Sequence, residues 1–111
     1  MDIQDTALIN QDAQAELAQE LGQARFDGLV ARFLEQLNTQ MREIDQALAG
    51  ADPAGARRVA HGIKGAAGNL GFTGVQAAAH GVEKALLEGA DAVPPLADLR
   101  TVVSHTRALR A

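Results

Sequence analysis

The stretch Asp52-Pro53-Ala54-Gly55-Ala56-Arg57-Arg58-Val59-Ala60-His61-Gly62-Ile63-Lys64-Gly65-Ala66-Ala67-Gly68-Asn69-Leu70-Gly71 decides how the chain is read. It opens on an N-cap residue followed by a proline whose missing N–H costs nothing at the first helical position. Gly71 is placed to end the helix so begun, which runs from about Pro53 to Leu70. At 100° per residue, Ala56, Val59, Ala60, Ile63, Ala66, Ala67 and Leu70 fall within an arc of roughly 120°, which predicts the buried face. Arg57, His61, Lys64, Gly65 and Gly68 cluster within about 100° on the other side, His61 lying roughly 160° from the middle of the apolar arc. The histidine is therefore expected in solvent, with two cations and two glycines around it.

A glycine inside a helix costs about 1 kcal/mol relative to alanine, so Gly62, Gly65 and Gly68 in one helix need a reason. Small residues often admit a neighbouring helix. Gly65 and Gly68, however, lie on the His61 side of the wheel, away from the bundle core, and there they read as a bare surface around an imidazole that a partner protein must reach.

Outward from this helix, apolar residues recur at three- and four-residue spacing and no stretch alternates with period two, which predicts an all-α chain. Asn10 can cap a first helix to about Glu20, and Leu21-Gly22 breaks it. A long helix from about Gln23 to Ala49 carries the stripe Phe26, Val30, Phe33, Leu37, Met41, Ile44 and Leu48. Thr73 with Gln76 three residues on reads as a capping box, opening a helix that reaches about Glu88 before Gly89. Its apolar stripe is Phe72, Val75, Ala79, Val82 and Leu86, with Gln76, His80 and Glu83 sharing the adjoining face. Pro94 and Pro95 restart the chain into a last helix with Leu96, Leu99, Val103 and Thr106 on one side, and Arg107 and Arg110 near its C-terminal end, where cations suit the helix dipole. Connections this short favour antiparallel neighbours, so the expectation is an antiparallel four-helix bundle with a short extra N-terminal helix, a single domain over residues 1–111 with the bundle at about 10–110.

Composition narrows the function. A formal net charge of −4 argues against nucleic acid, whose phosphates demand clustered Lys and Arg. Three phenylalanines without Trp or Tyr give no stacking platform for single strands. Without cysteine there is no disulfide, thiolate zinc site or thiol chemistry. The acidic N-terminus lacks the basic start and apolar stretch of a signal peptide, and no apolar run approaches the roughly 18 residues of a membrane span; a cytoplasmic protein is expected.

The segment Ala60-His61-Gly62-Ile63-Lys64-Gly65-Ala66-Ala67-Gly68-Asn69-Leu70-Gly71 resembles the signature of histidine phosphotransfer domains: a His, a Lys or Arg three residues on, a Gly four residues on and another ten residues on, matched by His61, Lys64, Gly65 and Gly71. Helix order and lengths agree from about residue 10 to 110. The resemblance implies that His61 is the phosphorylated nucleophile, that Lys64 neutralises charge on the phosphate, and that the partners are response-regulator receivers and a hybrid sensor kinase. It also implies that a polar residue of the fourth helix, here Gln76, His80 or Glu83, holds the histidine ring. The expected role is that of a phosphoryl carrier and not an enzyme, monomeric, with no cofactor of its own and Mg²⁺ brought by the receiver. Met1 favours a free protein over the end of a larger kinase.

The chemistry suits these residue types. An imidazole with the ordinary pKa near 6.5 is largely neutral and nucleophilic at physiological pH. A lysine one turn along the same face is a compact charge for phosphate oxygens. Transfer itself rests on positioning and charge neutralisation.

Other readings fit less well. His80 and Glu83 form one reversed His-x-x-Glu, whereas carboxylate-bridged metal bundles use paired Glu-x-x-His segments with further glutamates. Nothing resembles a nucleotide-binding loop, so phosphate must arrive from another protein. The main alternative is an adaptor or inhibitor that docks on a receiver without carrying phosphate. His105 has no context and reads as surface.

Overall fold

The computed structural model describes residues 8–110. Its helices are α1 (Gln11–Leu21), α2 (Gln23–Ala49), α3 (Pro53–Asn69), α4 (Thr73–Glu88) and α5 (Val93–Arg110). The last four pack in sequence as the antiparallel bundle, with α1 laid against α2. The expected fold is the observed one.

Local signals act where the sequence puts them. Asn10 Oδ1 accepts the N–H of Ala13 at 3.0 Å, capping α1. Asp52 Oδ1 accepts that of Gly55 at 2.9 Å, capping α3 just ahead of Pro53. Thr73 is not the N-cap of α4. The N-cap of α4 is Phe72, with no side-chain cap bond, and Thr73 is already the first helical residue. The chain enters α4 one residue early because Phe72 is pulled into the core, fully buried and stacked on Phe33 at a centroid separation of 5.1 Å. A buried aromatic outweighs one hydroxyl cap.

The core joins the expected stripes of all the bundle helices. From α3 it takes Ala56, Ala60, Ile63 and Ala67, so three of its four fully buried positions are alanines and the helix surface there is low. Flat surfaces of this kind admit close helix approach. Val102 and Ala85 are buried beyond the predicted stripes. Thr106, the buried polar residue, turns its hydroxyl inward to donate to Val102 O at 2.7 Å. Arg107 and Arg110 stand in the last turn of α5, as expected, and also reach across the bundle. Arg107 donates to Leu34 O at 2.5 Å and to Asn38 Oδ1 at 2.9 Å, and Arg110 reaches Asp27 at 3.4 Å, so both tie α5 back to α2.

The α3–α4 turn is held from outside. Asn10 N–H donates to Gly71 O at 2.8 Å, and Gln14 Nε2 donates to Leu70 O at 3.0 Å. Gly71 has φ +79°, and a β-carbon there would stand 2.9 Å from Gln14 Cγ and 3.3 Å from Asn10 O. Glycine is required at this position twice over, by its left-handed backbone and by the closeness of α1.

Candidate functional site

His61 sits in the middle of α3 on the face opposite Ala60, Ile63 and Ala67, and its side chain is 67% exposed. The ring is nevertheless fixed on one edge. Its Nδ1 lies 2.5 Å from Oε2 of Glu83, on α4. The other carboxylate oxygen, Oε1, accepts from Lys64 Nζ at 2.5 Å, and His80 Nδ1 stands 3.7 Å from the same atom. Glu83, 12% exposed, is the hub, with Lys64 at 26% and the two histidines progressively more open to solvent.

Charge explains this arrangement. A carboxylate so far withdrawn from water needs donors. The hydrogen bond from Lys64, and after it that from His61, holds the Glu83 carboxyl below the ordinary carboxylate range, against partial burial that pushes it up. An ionised Glu83 only accepts, so the hydrogen between Nδ1 and Oε2 belongs to the ring. A neutral His61 is thereby set in the Nδ1–H tautomer, and its Nε2 lone pair is directed away from Glu83.

The register of the α3–α4 hairpin accounts for which residue meets His61. Both helices rise equally per residue, so positions equidistant from the turn face each other. His61 lies 11 residues before Phe72 and Glu83 lies 11 after it. Gly68 and Gln76 each lie 4 away, and Gln76 does cover Gly68. Three polar residues on one face of α4 looked interchangeable in the sequence; counting outward from the turn singles out Glu83.

The glycines divide. A β-carbon on Gly65 would meet nothing within 4 Å, so that position is bare surface beside His61. Gly68 departs from the open-face reading. A β-carbon there would stand 2.6 Å from Gln76 Nε2, so the end of a flexible side chain from α4 covers this position. Arg57 lies one turn before His61, half-buried and outside the Glu83 cluster, and His105 is exposed on α5.

On the other flank, toward α2, sequence reasoning missed a shallow depression of about 240 Å³ lined by Leu29, Arg32, Phe33, Gln36, Ala66, Asn69 and Leu70. The signal was available: Leu29 is three residues after Phe26 and four before Phe33, at the margin of the α2 stripe, and remains 36% exposed. The nucleophile candidate thus has charged groups on one side and a low, partly apolar surface on the other. Among the described residues no group of three or more His, Cys, Asp or Glu is placed to hold a metal ion, and no helix is long and apolar enough to cross a membrane.

Comparison with curated proteins gives no match. The family model described as Hpt domain matches residues 28–110, which takes in α3, α4 and the whole Glu83 cluster. With the helical bundle and its exposed histidine, this establishes that the chain belongs to the Hpt domain family, the phosphocarrier modules of two-component signalling.

Proposed function

We propose that Nε2 of His61 accepts a phosphoryl group from a receiver-domain aspartate and passes it to, or back from, a response regulator. The observation that carries this reading is the bond from His61 Nδ1 to Glu83, which leaves Nε2 unprotonated on a ring whose side chain is 67% exposed. In the forward step the Nε2 lone pair attacks phosphorus, the N–P bond forms, and the P–O bond of the aspartyl phosphate breaks with its electron pair returning to the carboxylate. Lys64 supplies positive charge one turn away; Mg²⁺ for the transferring group is expected from the receiver, as the donor set here suits a proton and an ammonium better than a metal. The low surface at Gly65 and the Leu29 depression offer the partner its footing. With partners of this kind the protein would work in the cytoplasm, as a phosphoryl carrier.

Intact-mass analysis after incubation with a phosphorylated receiver tests the proposal. One acid-labile phosphate is expected on the wild-type protein and none on His61→Gln, with helical content and melting temperature nearly unchanged because the side chain is in solvent. Full labelling of His61→Gln would overturn the assignment. An adaptor that docks without carrying phosphate would bind the receiver and gain no mass.

A further inference from the structure

We infer that Glu83 keeps one and the same proton on His61 Nδ1 in both the free and the phosphorylated state, which makes phospho-His61 a ready donor and not a store. This rests on the reading of His61 as the phosphorylated residue.

The geometry leaves the carboxylate little choice. Oε1 is engaged by Lys64 and Oε2 by the ring, and the residue is largely withdrawn from water. When Nε2 bonds to phosphorus, the ring with its Nδ1 proton becomes an imidazolium, and its new positive charge lies in hydrogen-bond contact with an anion. The bond already has an ionised acceptor, and a full positive charge on the donor adds direct Coulomb attraction to it, so the contact tightens on phosphorylation and resists loss of the proton.

The protonated ring matters for the next step. On transfer to an acceptor carboxylate the N–P bond breaks, its electron pair returns to Nε2, and the ring departs as neutral imidazole still carrying its Nδ1 proton. Were Nδ1 bare, the same cleavage would expel an imidazolate anion, a far poorer leaving group, unless a proton arrived at the same moment. With Glu83 in place no proton need move in either direction. Lys64 and Arg57 on α3, and His80 when charged on α4, act against ring protonation, but Lys64 is occupied by the other oxygen of Glu83, and His80 points at that oxygen too. Lys84, next to Glu83, is exposed, and among the described residues no ion pair joins α2 to the cluster.

Glu83→Gln separates charge from orientation, since a glutamine Oε1 still accepts from Nδ1. The ¹⁵N-labelled proteins are phosphorylated with phosphoramidate, and the ring nitrogens are followed against pH, with a phosphorylated histidine peptide as reference. The wild-type ring is expected to keep its proton at least about one pH unit higher than Glu83→Gln or the peptide, a tenfold difference in proton affinity or roughly 1.4 kcal/mol. Transfer to a receiver should stay flat with pH in the wild type while falling about tenfold in Glu83→Gln across the range where its ring deprotonates. Coincident midpoints, or parallel rate profiles, would overturn the inference. If Glu83→Gln does not fold, the wild-type comparison with the peptide decides alone. Because phosphoramidate replaces the protein donor, a failure of the receiver to label His61 would count against the proposed function and leave the ring measurement standing; failure of phosphoramidate to label His61 at all would overturn both.

Discussion

The carboxylate of Glu83 on α4 and the imidazole of His61 on α3 are joined at 2.5 Å across the α3–α4 pair, each 11 residues from Phe72. An exposed ring with a largely buried anchor has a set direction without losing access, and the measurable consequences differ by residue.

Lys64→Ala should slow phosphoryl transfer or shorten the phosphohistidine lifetime without abolishing labelling. It removes one partly exposed cation, 26% open, and leaves the nucleophile in place. Transfer rates measured at low salt, where such a charge is least screened, should fall severalfold, and an unchanged rate would show that this cation does not act on the phosphate.

Gly65→Leu should move stability and activity in opposite directions. Helix propensity rises by up to about 1 kcal/mol, and a β-carbon at this position has no neighbour within 4 Å. Helical side chains lean toward the N-terminus, so the leucine lies back over His61 one turn earlier. Thermal melts should show an equal or higher midpoint, while transfer from a phosphorylated receiver drops at least tenfold. Wild-type transfer by this variant would remove the open-face argument.

Gly71→Ala should destabilise the protein by about 1–3 kcal/mol, the usual cost of holding a non-glycine residue in a left-handed or crowded backbone. Here φ is +79° and Gln14 Cγ stands 2.9 Å from the added carbon. Urea denaturation should show the loss, accompanied by weaker amide protection at Asn10.

Stability at acid pH should depend on Glu83. Its carboxyl is held below the ordinary range in the folded state, by Lys64 first, so its contribution is present above the unfolded pKa of about 4.3 and is lost as pH falls through the lower folded value. Denaturation of wild type and Glu83→Gln from pH 7 downward should give curves that converge only below about pH 4. A gap that stays constant to pH 2 would mean that Glu83 stabilises by packing and not by charge.

The bundle was legible from residue spacing because its helices each bury one stripe and break at Gly22, Gly50, Gly71 and Gly89, where the chain does turn. The exposed setting of His61 followed from the α3 wheel for the same reason. What spacing within one helix could not supply was axial stagger between two. Gly68 looked open until α4 was seen to bring Gln76 over it, and Glu83 could not be told from Gln76 and His80 without the turn as origin. Thr73 misled because its local capping preference competed with the burial of Phe72, and burial won.

The family match begins at residue 28, yet Leu8 is buried in the core, Phe26 with it, and Asn10 and Gln14 bond to the carbonyls of Gly71 and Leu70. Cutting at the edge of the match would leave those carbonyls without their donors and strip Leu8 and Phe26 from the core. For anyone grafting this module onto another signalling protein, the portable unit starts upstream of α1, and a fusion joint placed between α1 and α2 would sever the brace that seats the turn between the helices carrying His61 and Glu83.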